Sequence, residues 1–264
     1  MKLNKTTIGM VHAGALPGTP QNRLTAGELR RQAVAEAQLL ARCGMEALLL
    51  ENMHDRPYLN RQAGPEVVAT LAVIAAAVKA ETGLPTGIQV LAGANREALA
   101  IALAANLDFI RAEGFVFAHL ADEGWMDSDA GNLLRYRKQI GADHIQIFTD
   151  IKKKHSSHAV TTDISIEETA RAASFFLSDG LIVTGSSTGE PADPAEAERV
   201  KKCTALPVII GSGITADNLH RFWIAADAFI VGSSLKAEGK WYNPVEESRV
   251  RAFVGEVTKL RNPG

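Results

Sequence analysis

The sequence is poor in cysteine and has no excess of charge of either sign. Among 264 residues there are only two cysteines, Cys43 and Cys203, and their wide separation argues against a disulfide framework or a cysteine-rich zinc site. The formal net charge is −2. This balance disfavours a nucleic-acid partner, because binding a phosphate backbone requires a concentrated basic face.

No stretch of the sequence is apolar for long enough to cross a bilayer. The longest apolar segment, residues 67–78, contains Thr70 and stops at Lys79. A membrane span requires about 20 apolar residues. Residues 1–5 lead directly into a strand-like segment and carry no pattern typical of a secretory signal. We therefore expect a cytoplasmic protein with reduced thiols and no membrane span.

Eight short apolar runs alternate with longer segments of helical periodicity. Several runs, for example 47–50, are apolar on both faces, as parallel strands covered by helices are. The runs recur about every 32 residues, the size of a strand–helix repeat. Eight repeats without a linker predict an α/β fold, a single (β/α)8 TIM barrel over residues 1–264, with an open doubly wound sheet as the rival. The predicted strands are 7–12, 47–51, 86–90, 109–112, 144–151, 181–184, 207–210 and 228–231.

Helix start signals lie between these runs. Thr25 is followed by Glu28, and Ser165 by Glu168, which are the two residues of a capping box. Pro65 suits the first position of a helix. A further helix is predicted from about residue 216, after the seventh strand.

Polar residues stand at the ends of the predicted strands. In a TIM barrel these ends converge on one face, where catalysis takes place. Burying such groups without partners costs about 1–3 kcal/mol each. Each residue alone could simply end a strand, but together they predict a functional site. The residues are His12, Glu51, Asn52, Gln89, Arg111, Asp150, Lys152 and Thr184.

Two short loops of small residues follow the seventh and eighth predicted strands. Many barrels bind a phosphate there through backbone N–H groups, and glycine lets the anion approach the backbone. The 184–190 loop contains Gly185 and could close over a ligand, but it lacks the Gly-Lys-Ser/Thr ending of a Walker A loop. No complete G-x-G-x-x-G motif opens a helix after a strand. The predicted phosphate-binding residues are Gly211, Ser212, Gly213, Gly232 and Ser233, with Thr184 and Gly185.

Several motifs resemble the BtpA/SgcQ family of barrel proteins over about residues 5–256. The most specific is Gly-Leu-Ile-Val-Thr-Gly at 180–185, followed by Thr-Gly-Glu-Pro at 188–191. Gln89 departs from the pattern, in which we expect asparagine, and its longer side chain would change substrate preference. Further matching segments are 8–12, 16–20, 50–52 with Asp55, 94–105, 108–111, 150–155, 211–213 and 230–233.

The resemblance implies a phosphate-binding type of TIM barrel, but it brings no settled reaction. One family name comes from a cyanobacterial member associated with thylakoids and needed for photosystem I accumulation. Other members resemble components of sugar-uptake gene clusters. The photosynthetic role does not transfer on sequence grounds.

The leading hypothesis is an enzyme that acts on a small phosphorylated metabolite, such as a sugar phosphate, as an isomerase, an epimerase or an aldolase-type lyase. Glu51 and Asp150 are the acid/base candidates, and His12 is a second proton carrier. Lys152 could form a Schiff base or stabilise an enolate, and Arg111 could hold an anionic oxygen. The alternative is a purely structural role for these residues, in which Lys152 belongs to a solvated face, Asp150 pairs with a lysine and Glu51 pairs with Arg111.

Other interpretations stay open. The sequence requires no cofactor, but Glu51, Asp150 and Asp55 could hold Mg²⁺ or Mn²⁺. The barrel could instead serve as a non-catalytic assembly or regulatory factor, or as a hydrolase or nucleosidase of phosphorylated nucleosides. The fold class favours a homo-oligomer.

Overall fold

A computed structural model describes residues 1–185 and 189–262, and its main element is a closed barrel of eight parallel strands. The order around the barrel is β1, β2, β3, β4, β7, β9, β10 and β11, and β11 pairs with β1 to close it. The predicted barrel is therefore confirmed. The strands are β1 (Thr6–His12), β2 (Ala47–Glu51), β3 (Thr86–Gln89), β4 (Phe109–Ala112), β5 (His119–Ala121), β6 (Gly124–Met126), β7 (Gln146–Asp150), β8 (Ser156–Ser157), β9 (Gly180–Val183), β10 (Val208–Ile210) and β11 (Ala228–Val231).

Helices cover the outside of the barrel, which explains why the strands are apolar on both faces. Thr25 and Ser165 cap their helices in the predicted capping boxes, and Pro65 is the first residue of its helix. The helices are α1 (Ala26–Arg42), α2 (Pro65–Thr82), α3 (Asn95–Ala104), α4 (Ala130–Gln139), α5 (Ile166–Phe175), α6 (Pro194–Cys203) and α7 (Glu247–Arg261).

The segment after β10 differs from the prediction. Instead of a helix from residue 216, the chain makes turns and one short 3-10 helix, Leu219–Phe222. Asn218 stabilises this arrangement, because its side chain accepts from Thr215 N at 2.9 Å and donates to Gly213 O at 2.8 Å. These side-chain bonds favour a turn over an α-helix.

The interior of the barrel is filled by large apolar side chains. Phe109 and Phe148 face each other with ring centroids 5.2 Å apart. Gly87 makes room for them, since a Cβ atom there would lie 2.2 Å from the ring of Phe109. Met1 and Leu3 pack against this interior cluster. The interior is a packed core, so a ligand site can form only at its open end.

The strand ends bring polar side chains together at the C-terminal mouth. In the register, His12 lies opposite Glu51, and Glu51 lies opposite Gln89. A second small sheet, β6-β5-β8, lies outside the barrel. Within the described ranges, no helix is both long enough and apolar enough for a membrane crossing. Cys43 and Cys203 are free thiols, as predicted.

Candidate functional site

The C-terminal mouth of the barrel contains a cavity of about 220 Å³, here called the mouth cavity. Strand ends supply His12, Glu51 and Arg111 to its wall. The loops after β10 and β11, the seventh and eighth strands of the barrel, supply the opposite wall. Three of the predicted ionisable residues, His12, Glu51 and Arg111, therefore face the same space as the predicted phosphate loops, whereas Asp150 and Lys152 do not line it. The lining residues are Met10, His12, Glu51, Met53, Arg111, Lys154, Gly189, Gly211, Ser212, Gly213, Ile214, Thr215, Ile230, Gly232, Ser233, Ser234, Gly239 and Arg249.

His12 and Glu51 form a pair suited to proton exchange. His12 Nε2 lies 3.4 Å from Glu51 Oε2, and His12 Nδ1 lies 3.3 Å from the carbonyl oxygen of Trp241. A carbonyl oxygen only accepts, so Nδ1 carries a hydrogen and Nε2 faces the carboxylate. A hydrogen bond between them then requires one more proton, held by the imidazole or by the carboxyl group.

The carboxyl group of Glu51 is buried, but its surroundings favour the charged form. Burial raises its pKa, whereas the hydrogen bond with His12 and the charges of His12, Arg111 and Lys154 lower it, and the net pKa is below the ordinary value. Glu51 is thus held as a carboxylate that can accept a proton from a ligand.

Arg111 and Asp150 form a buried ion pair. Nε and Nη2 of Arg111 donate to the two carboxylate oxygens of Asp150, each at 2.8 Å. Burial lowers the pKa of Arg111, but the charge and hydrogen bonds of Asp150 outweigh burial and raise it. Asp150 therefore pairs with Arg111 rather than with a lysine, and its charge holds the guanidinium at the mouth cavity.

The three consecutive lysines after β7 face three different environments. Lys153 is buried and lies 3.1 Å from Glu123 and 3.7 Å from Glu113. Lys152 has a φ of +58°, which turns the chain, and it lines a narrow crevice on the side of β7 facing His158. Lys154, which the sequence reasoning did not choose, lines the mouth cavity.

The amine of Lys154 is shifted toward its neutral form. Burial lowers its pKa, and the positive charge of Arg111 lowers it further, whereas Glu51 and Asp150 raise it. The net pKa lies below 10.5. A lysine in this state is a better nucleophile than an exposed one.

A second cavity of about 280 Å³, here called the distal cavity, adjoins the mouth cavity and shares Glu51, Met53 and Lys154 with it. Gln89 lines this cavity and donates from Nε2 to Glu113 Oε1 at 3.0 Å. Gln89 Oε1 and Glu113 Oε2 are buried and accept no hydrogen bond within residues 1–185 and 189–262. Burial raises the pKa of Glu113, with Lys153 opposing it.

The two glycine loops approach the rim closely. A Cβ atom on Gly232 would lie 3.2 Å from Met10 Cγ and 3.5 Å from His12 Cε1. A Cβ atom on Gly211 would lie 2.5 Å from Ile182 Cγ2 and 3.5 Å from Arg111 Nη2. Glycine at 232 therefore keeps space open beside His12, and glycine at 211 lets the chain pass close to Ile182 and Arg111, while its own N–H donates to Val183 O at 2.9 Å.

The loop after β10 also presents unused backbone donors. Gly213 has a φ of +63°, and the N–H groups of Gly213 and Ile214 donate to no acceptor in the described parts of the chain. Ser212 Oγ donates to Glu190 O at 2.8 Å, which packs the end of the preceding loop against this one. Free N–H groups of a glycine-rich turn form an anion-binding concavity.

Thr184 and Gly185 lie at the start of the loop after β9, outside the lining of the mouth cavity. The Thr184 hydroxyl is buried and has no partner among the described residues, and Gly185 packs against the backbone of Glu190. The loop predicted to close over a ligand continues through 186–188, which lie outside the described residues.

Asn52 and Asp55 hold neighbouring backbone segments. Asp55 accepts from Leu16 N and from Asn52 Nδ2, each at 2.8 Å, and Asn52 Oδ1 accepts from Leu91 N at 2.7 Å. Burial raises the pKa of Asp55. Through these bonds, Asn52 and Asp55 hold the backbone segments next to the mouth of the barrel in place.

The three carboxylates suggested as metal ligands have separate partners. Glu51 pairs with His12, Asp150 with Arg111, and Asp55 with backbone and Asn52. Across residues 1–185 and 189–262, no group of three or more His, Cys, Asp or Glu side chains has the spacing of a metal site.

Comparison with known proteins identifies the family. The BtpA family profile matches residues 3–259. The chain belongs to the BtpA family. An uncharacterised mitochondrial protein of Caenorhabditis elegans, F13E9.13, is 48% identical over 259 residues, covering 96% of this chain and 93% of the relative. The photosystem I biogenesis protein BtpA of Synechocystis is 32% identical over 252 residues, covering 94% of this chain and 86% of the relative.

Solved structures with the same fold include phosphate-binding enzymes. The (S)-3-O-geranylgeranylglyceryl phosphate synthase of Thermoplasma acidophilum, in complex with sn-glycerol-1-phosphate, superposes with a TM-score of 0.59 at 16% identity, covering 97% of this chain and 94% of that one. At this identity the likeness shows the fold alone.

Three residues of this BtpA-family site escaped the sequence reasoning. Lys154 follows a turn that breaks the alternation of the strand, and Arg249 comes from α7, where an arginine on a helix carries no signal of its own. Glu113 lies two residues beyond Arg111, just past the end of β4, and that spacing was the available signal for it.

Proposed function

We propose that this BtpA-family protein is an enzyme acting on a small phosphorylated metabolite of the sugar-phosphate type. The observation that carries the proposal is that the two glycine loops and the ionisable side chains line the same mouth cavity. A phosphate anchored at one wall supplies binding energy that orients the reacting carbon against the other wall.

The phosphate end of the substrate binds the loops after β10 and β11. The N–H groups of Gly213 and Ile214, which have no acceptor among the described residues, donate to phosphate oxygens, and Ser233 of the second loop adds a hydroxyl group. Arg249 lines the same wall and supplies a positive charge. The synthase of the same fold is described in complex with a glycerol phosphate, which supports a phosphorylated ligand.

The reacting end lies against the strand ends. Glu51 and His12 exchange a proton with the substrate, because they are 3.4 Å apart and both line the mouth cavity. Arg111, fixed by Asp150, stabilises a developing oxyanion. This set of groups serves isomerisation, epimerisation or aldol-type cleavage of a carbonyl compound.

Matched ligand pairs test the proposal by thermal unfolding. Ribose 5-phosphate, ribulose 5-phosphate and fructose 6-phosphate are compared with the free sugars, with inorganic phosphate, and with and without Mg²⁺ or Mn²⁺. A ligand at about 100 times its Kd stabilises by about 2.7 kcal/mol, which raises the Tm of a chain of this size by about 5 °C. Equal shifts with free sugars, or no shift with any phosphate, contradict the proposal.

Two variants locate the effect at the glycine loops. Gly232→Ala places a methyl group beside Met10 and His12 in the mouth cavity and should abolish the ligand-induced shift. Gly255→Ala is the control, because Gly255 is exposed on α7 and an added Cβ meets nothing within 4 Å. Nucleoside 5′-monophosphates belong in the same screen, and a shift with these alone would replace the sugar-phosphate proposal by a nucleotide hydrolase.

A further inference from the structure

Among the described residues, Lys154 has fewer side-chain partners than its neighbour Lys153. Lys153 is held by Glu123 and Glu113, whereas Nζ of Lys154 has no hydrogen bond and no ion pair within the described ranges. Its side chain lies largely out of solvent and lines both the mouth cavity and the distal cavity. An amine at the junction of two cavities is placed to react with a ligand that fills them.

The residues around Lys154 differ on its two sides. The glycine loops lie across the mouth cavity, and Gln89, Glu113, Tyr58 and Trp241 line the distal cavity. A ligand anchored by phosphate on the first side and extending into the second passes the junction that Lys154 lines together with Glu51 and Met53. The ligand atom that lies at this junction is therefore the atom that Nζ of Lys154 can attack.

We propose that Nζ of Lys154 condenses with the carbonyl carbon of an open-chain phosphorylated aldose or ketose, whose hydroxyl-bearing end occupies the distal cavity. This inference rests on the proposed function, since it places the substrate in the same site. It names the substrate class and a covalent step that the proposed function leaves open.

The hydroxyl-bearing end follows from the unused acceptors of the distal cavity. Gln89 Oε1 is buried with no hydrogen-bond donor among the described residues, and Glu113 Oε2 accepts no hydrogen bond there, although Lys153 Nζ forms an ion pair with it at 3.7 Å. A buried acceptor without a partner costs about 1–3 kcal/mol, and this cost is recovered when a ligand supplies a donor. Sugar hydroxyl groups are such donors, and the apolar face of a sugar packs on aromatic rings such as that of Trp241.

The covalent step balances with groups of this chain. The neutral amine of Lys154 forms a C–N bond to the carbonyl carbon, and the carbonyl electron pair moves to oxygen. The oxygen takes a proton from the nitrogen, which gives a neutral carbinolamine and restores the nitrogen lone pair. A second proton from the His12–Glu51 pair converts this hydroxyl into water, which leaves, and the nitrogen lone pair completes a protonated imine. The imine then accepts the electron pair released when a bond of the neighbouring carbon breaks, and water regenerates the amine.

Reduction with borohydride tests the imine. The wild-type protein is mixed with glyceraldehyde 3-phosphate, dihydroxyacetone phosphate, ribose 5-phosphate, ribulose 5-phosphate or fructose 6-phosphate, and borohydride is added. The expected product is a protein whose intact mass has increased by the mass of one ligand less one oxygen atom, with the adduct mapped to Lys154. Glycerol 3-phosphate, which has no carbonyl group, should give no adduct.

Two matched variants separate this inference from the proposed function. Lys154→Met should lose at least nine-tenths of the adduct while phosphates still raise the Tm, and Lys152→Met should form the adduct as the wild type does. The inference is overturned if phosphates raise the Tm but none gives an adduct, or if the adduct maps to Lys152 or another lysine. If no phosphate raises the Tm, the proposed function fails and this inference fails with it.

A third variant tests the distal cavity. Gln89→Met keeps the length of the side chain and removes its acceptor and donor. It should weaken binding of ribulose 5-phosphate about tenfold and change binding of dihydroxyacetone phosphate, which is too short to reach Gln89, less than twofold. Equal effects on both ligands would overturn the placement of the hydroxyl groups.

Discussion

Arg111 and Asp150 are joined by two hydrogen bonds of 2.8 Å, and both side chains are almost completely buried at the mouth of the barrel. The pair lies between the glycine loop after β10 and the lysines after β7. A buried ion pair of this geometry fixes the position of each charge, even where its net contribution to stability is small. In the proposed function, Asp150 therefore acts on a ligand only by holding Arg111 in place.

Removing one partner of this pair should destabilise the protein strongly. Asp150→Ala leaves the guanidinium of Arg111 buried without a counter-charge, and the free energy of unfolding should fall by about 3–5 kcal/mol. Urea unfolding measures the change. Asp143→Ala is the control, since Asp143 and its partner Lys138 are exposed, and it should change stability by about 0.5 kcal/mol or less. Equal losses in the two variants would contradict the assigned role of the pair.

The reactivity of Lys154 should depend on Glu51. The negative charge of Glu51 raises the pKa of Lys154, so Glu51→Gln should lower that pKa further. The pKa of Lys154 is measured by acetylation with limiting reagent across a pH series, followed by peptide mapping. In Glu51→Gln, the reactivity of Lys154 should reach half of its maximum at a lower pH than in the wild type. Glu198→Gln, on the exposed face of α6, should leave the curve unchanged. If the curve does not move in Glu51→Gln, the charge of Glu51 does not act on the amine of Lys154.

Acid should destabilise the fold through His119. Burial, with the charges of Lys153 and His158, lowers the pKa of His119 to about 4 from the ordinary 6.5. The unfolded chain therefore binds more protons between these values, so the stability that His119 contributes is present above about pH 6.5 and is lost as the pH falls toward 4.

The variant His119→Phe isolates this contribution. Phenylalanine retains a ring against His158, whose centroid lies 5.5 Å from that of His119, but it does not titrate. Urea unfolding from pH 7 to pH 4 should show a smaller loss of stability than in the wild type. Parallel curves would mean that His119 is protonated equally in the folded and unfolded states.

Two glycines with the same backbone conformation should respond differently to alanine. Gly83, at the end of α2, has a φ of +65° and open space around its Cβ position, whereas Gly213 has a φ of +63° and a Cβ position 2.2 Å from Pro191 N. Gly83→Ala should cost about 1–2 kcal/mol for the left-handed conformation. The backbone strain should be roughly equal in Gly213→Ala, but overpacking against Pro191 should lower the free energy of unfolding by a further 1–3 kcal/mol or more. Equal Tm values for the two variants would mean that the loops after β9 and β10 are not packed together.

The sequence was sufficient to predict the barrel because its strands are buried on both faces. Runs such as 47–50 and 208–210 have no polar alternation, and this pattern distinguishes covered parallel strands from half-exposed ones. The small sheet of β5, β6 and β8 was not predicted, because its strands are only two or three residues long and β5 and β6 are separated by Asp122 and Glu123, which resemble a turn.

The site was predictable only as far as the strand register extends. His12, Glu51 and Arg111 are the last inward-facing residues of regular strands, so their direction follows from alternation. Beyond Asp150 the chain turns at Lys152, which has a φ of +58°, and alternation no longer indicates direction. This explains why Lys152 was chosen and Lys154 was missed. Pairing across the barrel, as between Arg111 and Asp150, is a property of the closed sheet and is invisible in local sequence.

The most direct measurement is a crystal structure of the protein with a sugar phosphate that raises its Tm. The account predicts phosphate oxygens within hydrogen-bond distance of the N–H groups of Gly213 and Ile214, with the carbon chain running past Lys154 toward Gln89. A phosphate bound elsewhere, with the mouth cavity empty, would contradict it.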